Sequence, residues 1–435
     1  MAKDAIGFAL STLNRLAGSE LLDRLGLRHG AERLAYRLTK SGFQVITTSA
    51  RAFKASGNQD RPARLHAPGQ TTGLFDLGIT EEQQMIRDSV RGFADDVLRA
   101  GAEEADAAQR TDPAIQEQAR ELGLNFFAVP ESLGGAAAER STVTSLLVAE
   151  ELGRGDMGQA VAILAPMGVA NALTQWGTAL QQDKYLTPFA GEDAPLATIA
   201  VCEPRPLFDP CQLRTTATRD GDHWVLNGEK SLVPLAAEAE LFLVAADTDE
   251  GPAVFIVEGG TEGLSAGEDP AMGIRASGQR PLLLDNVRVP ADQRLGDGDF
   301  DYRAFVDLGT LAWCALAIGT GQAVLDYVVP YCNERKAFGE PISYRQAVAF
   351  MIADMAIELD AMRMLTYRAA CRAEQGKTFQ REAYLARTLV KEKAMKIGTD
   401  GVQLLGGHGF THEYPVERWY RDLRAIGVAF GGLHL

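Results

Sequence analysis

The sequence has little that would mark a special class of protein. It holds 5 Cys in 435 residues. The count is odd, and no close pair has zinc-finger spacing. Cys202, Cys211, Cys314, Cys332 and Cys371 therefore read as reduced, small buried residues of a cytoplasmic protein. The 6 His include no HExxH pair. No apolar run approaches 18 residues, so no membrane-spanning helix is expected. The first residues lack an uninterrupted apolar stretch with a cleavage site, and no secretory signal is expected. No GxGxxG follows a strand pattern and no GxxxxGK[ST] occurs, so a nucleotide cofactor needs another cradle. Positive charge is scarce: 43 Lys and Arg face 58 Asp and Glu, a net charge of -15. That excludes a broad nucleic-acid footprint, and no nucleic-acid partner is expected.

The charge that is present is unevenly placed. Residues 1–56 carry nine basic side chains against four acidic ones, a net +5 that leaves -20 on the rest. Ile6, Leu10, Leu13, Leu16, Leu21 and Leu25 fall at roughly helical spacing, and Leu34, Leu38, Phe43 and Ile46 repeat the pattern. Two readings stay open for this basic amphipathic extension. It packs on the body or on another subunit, or it docks peripherally on a membrane surface or a partner. Residues 57–74 are polar, with Pro62 and Pro68, and read as a linker.

Beyond the linker the period is helical. Thr80 followed by Gln83 has the form of a capping box, and Asp112-Pro113 starts a second helix. Residues 127–138 are rich in turn formers; helices follow over about 139–153 and 158–176, then a helix and loop over 180–192. From about 197 to 295 the pattern changes to short β-like runs separated by Gly, Asp and Pro. Asp220-Gly221 fits a tight hairpin turn. Long helices resume over about 302–334, 343–373 and 380–406, with a shorter one at 413–424. The fold class is α+β multidomain. It comprises a helical domain (75–195), a β-barrel-like middle domain (196–297) and a C-terminal four-helix bundle (298–435), preceded by the helical extension.

This order resembles the acyl-CoA dehydrogenases, and so do six motifs. They are NGEK (227–230), MGIRASGQR (272–280), LDNVRVP (284–290), ERKAFGEPI (334–342), QAVAFMIADMA (346–356) and GVQLLGGHGFTHEYPVERWYRD (401–422). The resemblance covers 75–435. It implies FAD bound at the subunit interface of a dimer or dimer of dimers. It also implies α,β-dehydrogenation of an acyl-CoA, with electrons passed to electron-transfer flavoprotein. In that family Arg335 matches an Arg on the FAD pyrophosphate, where a guanidinium gives bidentate bonds to phosphate. Phe338 packs near the ADP part, and Gln346 and Gln403 bond the cofactor. Gly406 and Gly407 let the backbone approach the diphosphate.

The flavin end departs from the family pattern. Cys202 stands where the family has Thr or Ser, and the glycine-rich stretch after it reads CEPRPLFDP, keeping Glu203, Pro204 and Asp209. Leu232 and Pro234 replace an aromatic and a hydroxyl beside the flavin. The catalytic Glu of most members falls on Phe430, and the minority position falls near Gly309, with no carboxylate there. Asp307 matches a residue near the CoA and is an available carboxylate, as are Glu413 and Glu417. Asp209 and Asp307 are the substrate-side candidates. In the family a further helix follows the point reached at GGLHL. Two functions are therefore carried forward. One is a dehydrogenase with an unusual base. The other is an inactive or half-site subunit that pairs with a complete like-folded partner or scaffolds a complex through residues 1–56.

Overall fold

The computed structural model describes residues 78–124, 128–135, 140–191, 194–268 and 271–435. The extension, the linker and residues 127 and 136–138 of the turn segment lie outside the described residues.

Local signals set the helix starts. Helix α1 (Glu81–Phe93) opens with Thr80 Oγ1 accepting from the Gln83 amide while the Gln83 side chain accepts from the Thr80 amide. A π-turn, Ala94–Leu98, joins it to α2 (Arg99–Ala108). Asp112 caps α3 (Pro113–Glu121), with Pro113 at the first helical position where its missing N–H costs nothing. Helices α4 (Thr142–Gly155) and α5 (Met157–Trp176) complete the first layer.

Seven strands follow: β1 (Ala197–Ala200), β2 (Thr216–Asp220), β3 (His223–Val233), β4 (Leu241–Thr248), β5 (Gly251–Glu258), β6 (Leu264–Ala266) and β7 (Arg280–Pro290). They form one curled, half-barrel sheet in the order β1-β4-β2-β3-β7-β6, with β5 on β4. Strand β1 runs parallel to β4. The β2–β3 hairpin pairs Asp220 with His223, so its two turn residues are Gly221 and Asp222, one position later than a turn centred on Asp220-Gly221. Gly221 supplies the positive φ of 56°.

Helix α6 (Tyr302–Glu334), capped by Asp301, is the centre of the bundle. It crosses α4 where Gly153 and Gly319 let the backbones meet. A Cβ on Gly319 would overlap the Glu150 carbonyl oxygen. A two-stranded ribbon, β8 (Lys336–Ala337) and β9 (Glu340–Pro341), leads to α7 (Gln346–Glu374), α8 (Gln380–Leu405) and α9 (Val416–Leu423). Helices α5 and α6 are long and apolar enough to cross a bilayer, contrary to the expectation that no such run exists. Their surfaces are 94% and 89% buried in the protein, so their apolarity serves the core. Cys202, Cys314 and Cys332 are buried as expected, whereas Cys211 and Cys371 are half-buried.

Candidate active site

The sequence candidates fall into two groups at opposite ends of α6. Arg335 and Phe338 follow the helix directly. The β8–β9 ribbon pairs Ala337 with Glu340, leaving Phe338-Gly339 as a two-residue turn with φ of 54° and 86°. Both angles are positive, the pattern of a type I′ turn, which is costly for a Phe. The turn holds the Phe338 ring 97% exposed, beside the Arg345 guanidinium. Gln346 begins α7, and Gln403, Gly406 and Gly407 end α8. Tyr331 Oη lies 2.8 Å from His408 Nδ1, tying the end of α6 to the turn after α8. All six residues are exposed, and a Cβ on Gly406 or Gly407 would meet nothing within 4 Å. This open, glycine-lined surface with a free-standing arginine suits a diphosphate.

The second group surrounds the N-terminal part of α6. Asp307 lies 28 residues before Arg335, about 42 Å along the helix. One dinucleotide does not reach that far.

In the second group, Glu203 and Lys230 form a buried ion pair at 2.9 Å, their side chains 3% and 0% exposed. Glu203 also accepts from the Arg214 and Thr215 amides, and Lys230 donates to the Val201 carbonyl. Burial lowers Lys230 to about 8. Burial also pushes Glu203 upward, but Lys230 and the amides outweigh it and hold the carboxyl below its usual range. The pair has unequal support, with several donors on the acid and one strong acceptor on the base. It fixes the loop after β1 against β3. The motifs CEP and NGEK carry both charges, but nothing local in the sequence says that they meet.

Cys202 is buried, and its thiol, raised by burial, donates to the Val428 carbonyl at 3.5 Å. Asp209 turns inward on its own loop, accepting from the Cys211 amide and the Gln212 side chain. Asp307 is 4% exposed and pairs with Arg303. Burial raises it to about 6 against the partial offset of Arg303. Glu417 is held by Arg421 and His412. Burial raises it, but these partners take it below the usual carboxyl range, the wrong direction for a base.

Phe430 carries no proton-accepting atom. Its ring packs edge-on to Phe208 at 5.6 Å, and the Arg387 guanidinium sits over it. Gly309 faces the Leu433 carbonyl. The residues after Phe430 then turn inward. Gly431 bridges Ala200, and the Gly432 amide donates to the Ile199 carbonyl at 2.7 Å. Gly432 also lies against Pro234. Arg335, Gly406 and Gly407 thus present an open surface, whereas the space between Cys202, Pro234 and Phe430 is closed by backbone contacts. Sequence reasoning did not find Arg387, Trp313 or this inward turn. A cleft of about 830 Å³ lies elsewhere, lined by Gln181, Lys184, Glu250 and Arg294, and none of the candidate residues lines it.

Three family models match in succession. The acyl-CoA dehydrogenase N-terminal, middle and C-terminal domains cover residues 80–193, 198–287 and 303–432. The chain is 35% identical to the mitochondrial short-chain specific acyl-CoA dehydrogenase of Bos taurus, over 85% of this chain and 90% of that protein. The chain belongs to the acyl-CoA dehydrogenase family. Among solved structures, butyryl-CoA dehydrogenase from Megasphaera elsdenii superposes with a TM-score of 0.75 at 31% identity. That match covers 81% of this chain and 95% of the other. A glutaryl-coenzyme A dehydrogenase in complex with glutaryl-CoA gives a TM-score of 0.73 at 30% identity, covering 81% and 92%. As an acyl-CoA dehydrogenase relative, the chain is a flavoprotein of the oxidoreductases that act on CH–CH bonds, with FAD as the family cofactor.

Proposed function

We propose that the chain oxidises the Cα–Cβ bond of an acyl-CoA thioester to the 2-enoyl product and passes the electrons to electron-transfer flavoprotein. It does so in a homodimer or dimer of dimers in the cytoplasm, with residues 1–56 as the candidate peripheral membrane contact. The observation that carries this reading is the family match through all three successive domains. The exposed group from Arg335 to Gly407 supports it. When bound, FAD supplies the hydride acceptor. Arg335 and the Gly406-Gly407 backbone are the residues of this chain suited to its diphosphate. An apolar stripe favours the paired state: Phe350, Ile357 and Met364 recur every seventh residue on α7, each more than half exposed.

The proton acceptor is the weak point of the catalytic reading. Asp307 is the carboxylate this chain offers near the family position, and its raised pKa is the direction that α-proton abstraction needs. Its ion pair with Arg303 would have to open first. Phe430 favours the second reading, a non-catalytic or half-site subunit paired with a complete like-folded chain. Anaerobic titration of the purified protein, loaded with FAD, against butyryl-CoA separates the two. Bleaching of the flavin band that is lost in Asp307→Asn supports catalysis through Asp307. Absence of bleaching in a protein that holds FAD supports the half-site subunit.

A further inference from the structure

Helix α9 closes a seam between α2, the start of α5 and the loop from β6 to β7. The backbones meet closely there. A Cβ on Gly273 would lie 2.3 Å from the Arg421 carbonyl oxygen, and one on Gly158 would lie 3.0 Å from Ala276. Charged side chains fill the seam nonetheless. Asp106 accepts from Arg421 through both oxygens, at 3.0 and 2.9 Å, and Arg275 approaches it to 3.6 Å. Asp156 caps α5 through the Gln159 amide, and Arg418 Nε stands 3.4 Å from its Oδ2. Glu417 accepts from Arg421 and faces the exposed His412. At the end of α4 and around the π-turn, Arg99 and Arg154 are taken by Asp95.

Asp422 is the member without a cation. It is 2% exposed, and its neighbour Asp156 is 1% exposed. One oxygen accepts from the Ile274 amide at 2.6 Å, and no ion pair reaches the carboxyl among the described residues. A charged carboxylate buried on one amide donor is strongly disfavoured. The charge count across the seam points the same way. Asp106, Asp156, Glu417 and Asp422 face Arg275, Arg418 and Arg421, one carboxyl in excess, with His412 on the outside. One bound proton restores the balance. Burial raises Asp156, and Arg418 and the Gln159 amide offset it in part. Burial also raises Asp422, and the Asp156 charge raises it further against the Ile274 amide and Arg421.

We propose that the Asp156–Asp422 pair holds one proton that latches α9 to the β6–β7 loop, and that loss of this proton loosens the seam. The closed seam binds the proton more tightly than an opened one, in which both carboxyls meet water. Opening is therefore rarest below the ordinary carboxyl range. It grows as pH rises, by up to tenfold for each pH unit, until the closed seam itself loses the proton. The raised Asp422 value puts neutral pH on that slope. The contact between α9 and the middle domain is thus firm in acid and softer at neutral pH.

Hydrogen exchange of the Ile274 amide reads the latch directly, because that amide donates to Asp422. In the full chain its protection factor should fall by about tenfold or more between about pH 6 and 8. Asp422→Asn keeps an acceptor for Ile274 and carries no charge, so its protection should stay within about twofold over the same range. Asp156→Asn keeps the cap on α5 and removes the neighbouring charge, and should shrink the change. Ile274 protection that does not move with pH in the full chain overturns the proposal, and that series needs no variant to fold. An Asp422→Asn chain with the pH dependence of wild type overturns it as well, because the proton then sits elsewhere.

Discussion

The Arg387 guanidinium carbon stands 3.8 Å from the centre of the Phe430 ring, and Nη2 donates to the Ala429 carbonyl at 3.1 Å. Nη1 is buried without a partner, and burial lowers the pKa of the group. A desolvated cation thus meets a ring face. The ring gives it part of a counter-charge, worth about 2 kcal/mol in such surroundings.

Phe430→Glu should therefore fold, since the introduced carboxylate finds Arg387 at hand. We expect a loss below about 2 kcal/mol by urea unfolding. In an Arg387→Met background the same change buries an unpaired charge and should cost about 3–5 kcal/mol. Equal losses in the two backgrounds would show that Arg387 does not serve position 430.

The Glu203–Lys230 pair gives a sharper contrast. Lys230→Met leaves a buried carboxylate with only its two amide donors, and a loss of about 3–5 kcal/mol is expected. The double change Glu203→Gln with Lys230→Met removes both charges and should recover most of that loss. A double variant as unstable as the single one would mean that the pair itself, and not the orphaned charge, holds the loop after β1 to β3.

Asp307 supplies a pH signature. Its folded pKa, about 6, lies above the ordinary aspartate value of 3.8. The folded state therefore binds the proton more tightly than the unfolded chain. This group adds stability as pH falls through 6, in full below 3.8, and withdraws it at neutral pH. Asp307→Asn should flatten the stability profile between about pH 4 and 6 relative to wild type. An unchanged slope would place the carboxyl in an ordinary solvated setting.

How much of this was legible in the sequence follows from the range of the signals involved. The starts of α1 and α3 rest on Thr80 and Asp112, each read within three residues of itself. Strand β6 was missed because Leu264–Ala266 is too short to show alternation. The parallel pairing of β1 with β4 joins residues about 44 apart, which no local pattern encodes. The exposed residues from Arg335 to Gly407 stand in sequence motifs, so they could be singled out without the fold. The inward turn after Phe430 was not legible, because GGLHL has no period and its partners lie far away, Trp313 at 118 residues and Arg140 at 295.

His434 carries the last prediction. Burial, with the Arg140 charge in support, holds its imidazole well below the usual 6.5, so it is neutral in the folded protein. Arg140 is itself lowered to about 10 by burial. The Leu435 main chain acts the other way and is outweighed, and Phe305 and Asn171 carry no charge. In the unfolded chain the imidazole takes up a proton near 6.5, so the unfolded state gains protons first as pH falls. Its contribution to stability is therefore full above 6.5 and is lost below it, by up to about 1.4 kcal/mol for each pH unit. His434→Leu removes both the titration and the two unpaired nitrogens. It should gain about 1 kcal/mol near pH 7.5 and hold a larger margin over wild type near pH 5.5. Urea unfolding at the two pH values reads both effects. A margin that stays constant between them would show that His434 is solvated in the folded protein.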